Sequence, residues 1–97
     1  MYRIIDNRSS GKTGRLMLLA KEQGASIICS NPRAMEQKAR AYGITGIDFI
    51  GYTEFLNHKQ GSTIDNYFID ELETFVAYVQ NNSGVRGNFN GYTISQE

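Results

Sequence analysis

The stretch "DNRSSGKT" (residues 6–13) decides how the rest of this sequence is interpreted. It follows "YRII" (2–5), a short apolar segment typical of a buried strand, and precedes "GRLMLLAKEQG" (14–24), whose apolar residues recur at helical spacing. A polar loop between a strand and a helix either cradles a phosphate group or forms an ordinary serine-rich turn. The rest of the chain has to distinguish these two alternatives.

Composition and charge are those of one ordinary globular domain. The 97 residues include ten basic and ten acidic side chains, so the formal net charge is zero. A neutral chain lacks the broad positive field on which sequence-independent nucleic-acid binding depends, and net charge therefore does not support a nucleic-acid partner. The sequence has no apolar run approaching the roughly 20 residues that span a bilayer, and "MYRIIDN" (1–7) lacks a signal-peptide pattern. We expect a single cytoplasmic domain, residues 1–97, with no membrane partner.

Short apolar segments alternate with helical patterns along the chain. The predicted strands are 2–5, 25–30, 47–52, 65–71 and, in the tail, 87–95. The predicted helices are 12–23, 32–42, 53–58 and 71–82. This alternation predicts an α/β domain in three layers, with a parallel sheet of about five strands between helices on both faces. In the last helix, the residues expected to face the core are Leu72, Phe75, Val76 and Val79.

The loop 6–13 follows the first predicted strand, and ligands of parallel sheets bind at the carboxyl ends of strands. Its amides and the N-terminus of the next helix can attract a polyphosphate, which Gly11 allows to approach the backbone closely. Lys12 supplies a mobile cation, while the Thr13 hydroxyl can ligate Mg²⁺. Of the pattern G-x-x-x-x-G-K-[ST], the first glycine is missing, because Asp6 occupies its position. The other candidate phosphate-binding residues are Ser9, Ser10 and Arg8, although a solvent-exposed Arg8 fits the sequence equally well.

The segment "NYFIDEL" (66–72) places two acids after an apolar run. If its strand adjoins the first one, Asp70 can reach the Mg²⁺ held by Thr13. Glu71 could then act as the base that orients and deprotonates an attacking water. Alternatively, the two acids simply begin the following helix, where negative charge is favourable. The combination with Gly-Lys-Thr favours the nucleotide-binding interpretation.

At this point the sequence resembles a family. "IIDNRSSGKT" (4–13) is similar to the Walker A motif of P-loop NTPases, and "YFIDE" (67–71) is similar to their Walker B motif. The Asp-Glu pair resembles the branch that includes helicases and the motor subunits of phage terminases. That resemblance implies the spatial strand order 5-1-4-3-2. The short chain is similar in style to small phage or prophage accessory proteins.

The resemblance also implies a function. It predicts binding of a purine nucleoside triphosphate (ATP in preference to GTP) with Mg²⁺ as cofactor, and slow ATPase activity. Lys12 and Glu71 would be the catalytic residues, and Thr13 and Asp70 the metal ligands. The tail "GYTIS" (91–95) resembles a strand that senses the γ-phosphate, which makes Thr93 and Ser95 candidate sensors.

Two features leave an alternative open. No arginine finger is apparent after the fifth predicted strand, so a partner protein would have to supply an arginine, and hydrolysis by the chain alone would be slow. Asp6 in place of the first glycine motivates a different function, a non-catalytic protein-interaction module that retains the fold. A phage accessory or anti-defence protein would be an example.

Overall fold

The structure, a computed structural model, describes residues 3–4, 11–57, 64–84, 87–91 and 93. Its elements in chain order are α1 (Lys12–Gln23), β1 (Ser26–Cys29), α2 (Pro32–Ala41), β2 (Phe49–Gly51), α3 (Tyr52–Leu56), β3 (Tyr67–Ile69) and α4 (Leu72–Asn82). Strands and helices alternate from α1 to α4, as the sequence predicts. Among the described residues, no helix is both long and apolar enough to cross a membrane.

The three strands form a parallel sheet in the order β2-β1-β3. The central strand pairs Ile28 with Ile50 of β2 on one side and with Ile69 of β3 on the other. Ile27 and Ile28 point to opposite faces, and both are fully buried, because helices cover the central strand from both sides. The α/β class with a parallel sheet is therefore confirmed.

The predicted five-strand order 5-1-4-3-2 is not confirmed. It places the strand 47–52 between the strands 25–30 and 65–71, whereas β1 occupies the middle position of the described sheet. The backbone of β1 is hydrogen-bonded in both directions: Ile27 N donates to Asp48 O, and Ile28 O accepts from Asp70 N. Of the predicted first strand, residues 2–5, the described residues 3–4 form no strand, and residues 2 and 5 lie outside the described part of the chain. Of the predicted tail strand, the described residues 87–91 and 93 form no strand.

Two clusters of side chains pack the helices onto the two faces of the sheet. Helices α1 and α2 cover one face through the buried residues Leu16, Met17, Ala20, Ala25, Ile27, Cys29, Met35, Ala39 and Ile44. Helices α3 and α4 cover the other face through Ile28, Ile50 and Tyr52, against which Phe55, Ile64, Ile69, Phe75 and Tyr78 pack. These layers place α1 and α4, the helices that follow the two predicted motifs, on opposite faces of the sheet.

The inward face predicted for α4 is wrong at three of its four positions. Leu72, Val76 and Val79 are 48%, 39% and 37% exposed, and only Phe75 is half-buried. The helix is oriented by aromatic contacts, since Phe75 and Tyr78 both pack against the ring of Tyr52. At about 100° per residue, Leu72 and Val79 lie about 70–90° from the midpoint of this pair and Val76 about 130°, so the aliphatic side chains lie at the margin of the buried face or beyond it.

Candidate functional site

The carboxyl ends of the three parallel strands meet at one edge of the sheet. The chain leaves β1 towards β2 on one side, while β3 lies on the other side of β1. Such a reversal of strand order opens a crevice between the ends of the two strands concerned, here β1 and β3. Asp70, the first residue after β3, lies at this crevice and is held there by the 2.9 Å hydrogen bond from its N to Ile28 O.

Helix α1 begins at the same edge of the sheet. Its last residue, Gln23, accepts a 3.2 Å hydrogen bond through its carbonyl oxygen from the side-chain amide of Asn66, next to the amino end of β3. Because the C-terminus of α1 lies at the amino edge, its N-terminus points towards the carboxyl edge. Lys12 and Thr13, both half-buried, are the first two residues of this helix.

The charges of Lys12 and Asp70, one from each predicted motif, interact. Burial, followed by the charge of Glu71, raises the pKa of Asp70, while Lys12 and Lys38 lower it. The fold therefore brings Lys12, from the Gly-Lys-Thr sequence, within electrostatic reach of Asp70, from the acidic pair. Because burial disfavours the ionised form of Asp70, a cation that binds beside this carboxylate stabilises the ionised form.

The start of α1 has the features of an anion site, as far as the described residues reach. Gly11 precedes the helix with φ 79°, a left-handed conformation that favours glycine, and its carbonyl accepts a 3.1 Å hydrogen bond from Arg15 N. The first turn contains no acidic residue, so no carboxylate competes for the positive end of the helix dipole. Asp6, Arg8, Ser9 and Ser10 lie outside the described residues, as does Ser95. Thr93 is exposed.

Glu71 has an unusual backbone conformation. Its φ of 58° is the only positive value at a non-glycine residue among those described. Its carbonyl accepts the first hydrogen bond of α4, from Phe75 N, but its side chain makes no capping hydrogen bond. The carboxylate therefore does not cap α4 by a hydrogen bond, although its charge still lies at the start of the helix, where negative charge is favourable.

Tyr52 is not among the residues that the sequence predicts for this site. Its hydroxyl donates to the carbonyl oxygens of Asp70 (2.9 Å) and Glu71 (3.4 Å). Burial, followed by the charge of Asp70, raises the pKa of Tyr52 to about 12, so the hydroxyl keeps its proton at neutral pH. The available signal was its position, since the last residue of the predicted strand 47–52 lies at the ligand-binding edge of a parallel sheet.

Cys29 lies near the acidic pair, but its thiol is expected to be unreactive. Its side chain is 1% exposed. Burial, followed by the charge of Asp70, raises the pKa of its thiol to about 11, and a backbone hydrogen bond from Asn31 only partly opposes this change. The thiol is therefore neutral at physiological pH and fills space in the core below the site.

The described residues contain no cluster of three or more His, Cys, Asp or Glu that could hold a metal ion. A complete protein cage is therefore not formed by this part of the chain. Mg²⁺ in nucleotide sites does not need one, because one or two protein oxygens, phosphate oxygens and water complete its coordination. Asp70 and Thr13 fit that limited donor set.

A cleft of about 320 Å³ opens at the same edge, on the α3–α4 side. It is lined by Ser30, Pro32, Gly51, Tyr52, Thr53, Glu54, Thr74 and Tyr78. Of the residues predicted for phosphate and metal binding, the four that the structure describes (Gly11, Lys12, Thr13 and Asp70) do not line it. Tyr52 belongs to the cleft and contacts the predicted site, because its ring forms a wall of the cleft while its hydroxyl contacts the acidic pair.

Comparison with models of protein families gives no match, and comparisons with curated proteins and with solved structures give none either. These comparisons therefore show no family for this chain.

Proposed function

We propose that this chain is a P-loop-like domain that binds a purine nucleoside triphosphate with Mg²⁺ at the carboxyl edge of its sheet. The observation that carries the proposal is that the N-terminus of α1, with Lys12 and Thr13, lies at the same carboxyl edge of the sheet as Asp70, which follows β3. Lys12 and Asp70 belong to separate motifs, far apart in the sequence, that bind one ligand in the family that the sequence resembles.

Each residue of the two motifs has a role in this proposal. The amides of 9–13 and the N-terminus of α1 attract the phosphates, and Lys12 binds the β- and γ-phosphate oxygens. Thr13 and Asp70 would hold Mg²⁺, which neutralises phosphate charge when it is bound.

Glu71 accepts the proton of a water whose oxygen bonds to the γ-phosphorus as the bond to the bridging oxygen breaks. Turnover by the chain alone is expected to be slow, because an arginine that stabilises the transition state is worth about 10³–10⁵ in rate and would come from a partner protein. ATP is the preferred nucleotide in this proposal, with GTP as the other candidate.

The complete sheet is proposed to extend beyond β3. Ile4, from the predicted first strand, packs against the core cluster on the α1–α2 face, and β3 pairs with β1 along one edge only in the described part of the chain. A strand at 2–5 next to the other edge of β3 would bring the loop 6–13 directly beside Asp70. In this arrangement the predicted strands 2–5 and 65–71 are neighbours, as they are in the expected order 5-1-4-3-2.

The test is stabilisation of the folded chain by nucleotide. A ligand that binds the folded state alone, at 100 times its Kd, stabilises it by about 2.7 kcal/mol, which for a domain of this length raises Tm by about 10–20 °C. Mg-ATP or Mg-GTP should produce this shift with the wild type, and Lys12→Ala should abolish it. Lys21→Ala is the matched control, because Lys21 lies in the last turn of the same helix. The proposal is wrong if millimolar nucleotide leaves the Tm of the wild type unchanged.

A second candidate function is supported by the surface of α4. Leu72, Val76 and Val79 lie on this helix with substantial exposure, as expected for a module that binds another protein. Binding of a partner that tolerates Lys12→Ala and Glu71→Gln but is lost in Val76→Asp would favour this function over nucleotide hydrolysis.

A further inference from the structure

We infer that Tyr52 is a positioning residue, whose hydroxyl holds the Asp70–Glu71 turn in the conformation that presents the two carboxylates to the ligand. The roles of those carboxylates rest on the proposed function. The anchoring of the turn does not, because it is a property of the folded chain.

The hydrogen bond from Tyr52 to the Asp70–Glu71 turn spans the whole width of the described sheet. Tyr52 directly follows β2, whereas Asp70 directly follows β3, and β1 lies between these strands. The side chain of Tyr52 therefore crosses the end of the central strand to reach the turn. Its hydroxyl donates to Asp70 O at 2.9 Å and lies 3.4 Å from Glu71 O.

The surroundings of Tyr52 leave the hydroxyl little freedom. The residue is 4% exposed. Its ring meets the ring of Phe75 edge-on, with centroids 5.1 Å apart, and the ring of Tyr78 at 5.6 Å. A donor fixed in this way can select one orientation of the carbonyls that it contacts.

The turn is one that needs such an anchor. Glu71 has φ 58° and ψ 70°, and a left-handed residue with a Cβ persists only where its surroundings determine its conformation. The Tyr52 hydroxyl contacts the carbonyl of this residue and of the one before it. Without that donor, Glu71 can relax to a commoner conformation, which turns its carboxylate and that of Asp70 away from their present positions.

The first experiment compares Tyr52→Phe with Tyr78→Phe by ¹⁵N–¹H NMR. Both variants lose one phenolic hydroxyl from the same aromatic cluster, but the hydroxyl of Tyr78 bonds to Thr53 instead of the turn. We expect the amide signals of Glu71 and Leu72 to shift, and to exchange with solvent faster, in Tyr52→Phe alone. The anchoring is refuted if both variants leave these amides unchanged, or if both change them equally.

The second experiment measures the Mg²⁺ dependence of ATP binding by titration calorimetry. Loss of one hydrogen bond that orients the metal-binding carboxylate should weaken Mg-ATP binding by about 3- to 10-fold, with no change in binding of ATP in EDTA. Tyr78→Phe should match the wild type in both conditions. Equal Mg²⁺ dependence in Tyr52→Phe and in the wild type would refute the positioning role.

The two experiments separate this inference from the proposed function. A wild-type chain that binds no nucleotide refutes the proposed function and the role of Tyr52 towards the metal with it. The NMR comparison still decides in that case whether Tyr52 anchors the turn. A purely structural role would lower Tm in Tyr52→Phe but leave the Mg²⁺ dependence of binding unchanged.

Discussion

Replacing Glu71 with glycine should make the folded chain more stable while it removes the proposed base. Glu71 has φ 58° and ψ 70°, a left-handed conformation that costs a residue with a Cβ about 1–2 kcal/mol. Glycine avoids this cost but loses about 0.5–1 kcal/mol more backbone entropy on folding. The difference predicts a net stabilisation of about 0–1.5 kcal/mol, with a midpoint of about 0.75 kcal/mol. For a domain of this length, the midpoint corresponds to a rise in Tm of about 3–6 °C.

Two further variants isolate the backbone effect from the effect of charge. Glu71→Gln removes the negative charge near the start of α4 but keeps the strained backbone, so the stability of Glu71→Gly is measured relative to it. Glu73→Gly places glycine in the first turn of the same helix, where the backbone is helical, and should cost about 1 kcal/mol.

The assay is urea unfolding followed by circular dichroism at one pH. Glycine should therefore raise the free energy of unfolding at position 71 and lower it at position 73. A Glu71→Gly variant less stable than Glu71→Gln would refute the claim that the left-handed conformation is a cost. That outcome would also remove the argument that the turn needs an anchor.

Two predictions concern pH. Asp70→Asn should raise the free energy of unfolding at pH 7 and lose this advantage in acid. Burial and the charge of Glu71 raise the pKa of Asp70 in the folded chain. The contribution of this carboxyl to the free energy of unfolding is therefore complete below the ordinary carboxyl pKa, and it is lost as the pH rises through the pKa of Asp70 in the folded chain. Urea unfolding at pH 7 and pH 3 checks this, with exposed Glu54→Gln as control, and a variant less stable than the wild type at pH 7 would contradict it. Cys29, whose thiol pKa is raised from 9.0 to about 11 by burial and then by Asp70, should resist alkylation at pH 9 until urea unfolds the chain. Because the unfolded chain loses the thiol proton first, stability should fall between about pH 9 and pH 11. Cys29→Ala should reduce this fall, and equal slopes in the two proteins would count against the shifted pKa.

The local elements of this fold could be predicted because their signals are local. Gly24 ends α1 with φ 64°, the left-handed conformation that glycine adopts freely. Asn31 begins α2 by accepting a 3.1 Å hydrogen bond from Ala34 N, and Pro32 occupies the first turn, where no N–H is needed. Such signals require only a few neighbouring residues, so the predicted order of strands and helices is confirmed from α1 to α4.

The orientation of α4 could not be predicted from its own sequence. The predicted inward face combined Phe75 with the aliphatic residues Leu72, Val76 and Val79, whereas the structure packs Phe75 together with Tyr78. Which residues face inward depends on the partner, because Tyr52 offers a ring that the two aromatic residues pack against. Spacing within one helix contains no information about that partner.

Some residues of the candidate site could be predicted from the sequence and others could not. The residues of both motifs, Lys12 and Thr13 as well as Asp70 and Glu71, could be named from the sequence because each motif is contiguous. Tyr52 could not, since its role comes from a hydroxyl that crosses the end of β1 to reach carbonyls on another strand.

The sequence by itself therefore determined the alternation of helices and strands from α1 to α4 and which residues are candidates for phosphate and metal binding. Only the tertiary structure decided that β1 is the central strand, that Glu71 adopts a left-handed turn, and that Lys12 approaches Asp70. The physical reason is range: caps and periodicity act within a few residues, whereas strand order, burial on two faces and the meeting of charges depend on the whole chain packing at once.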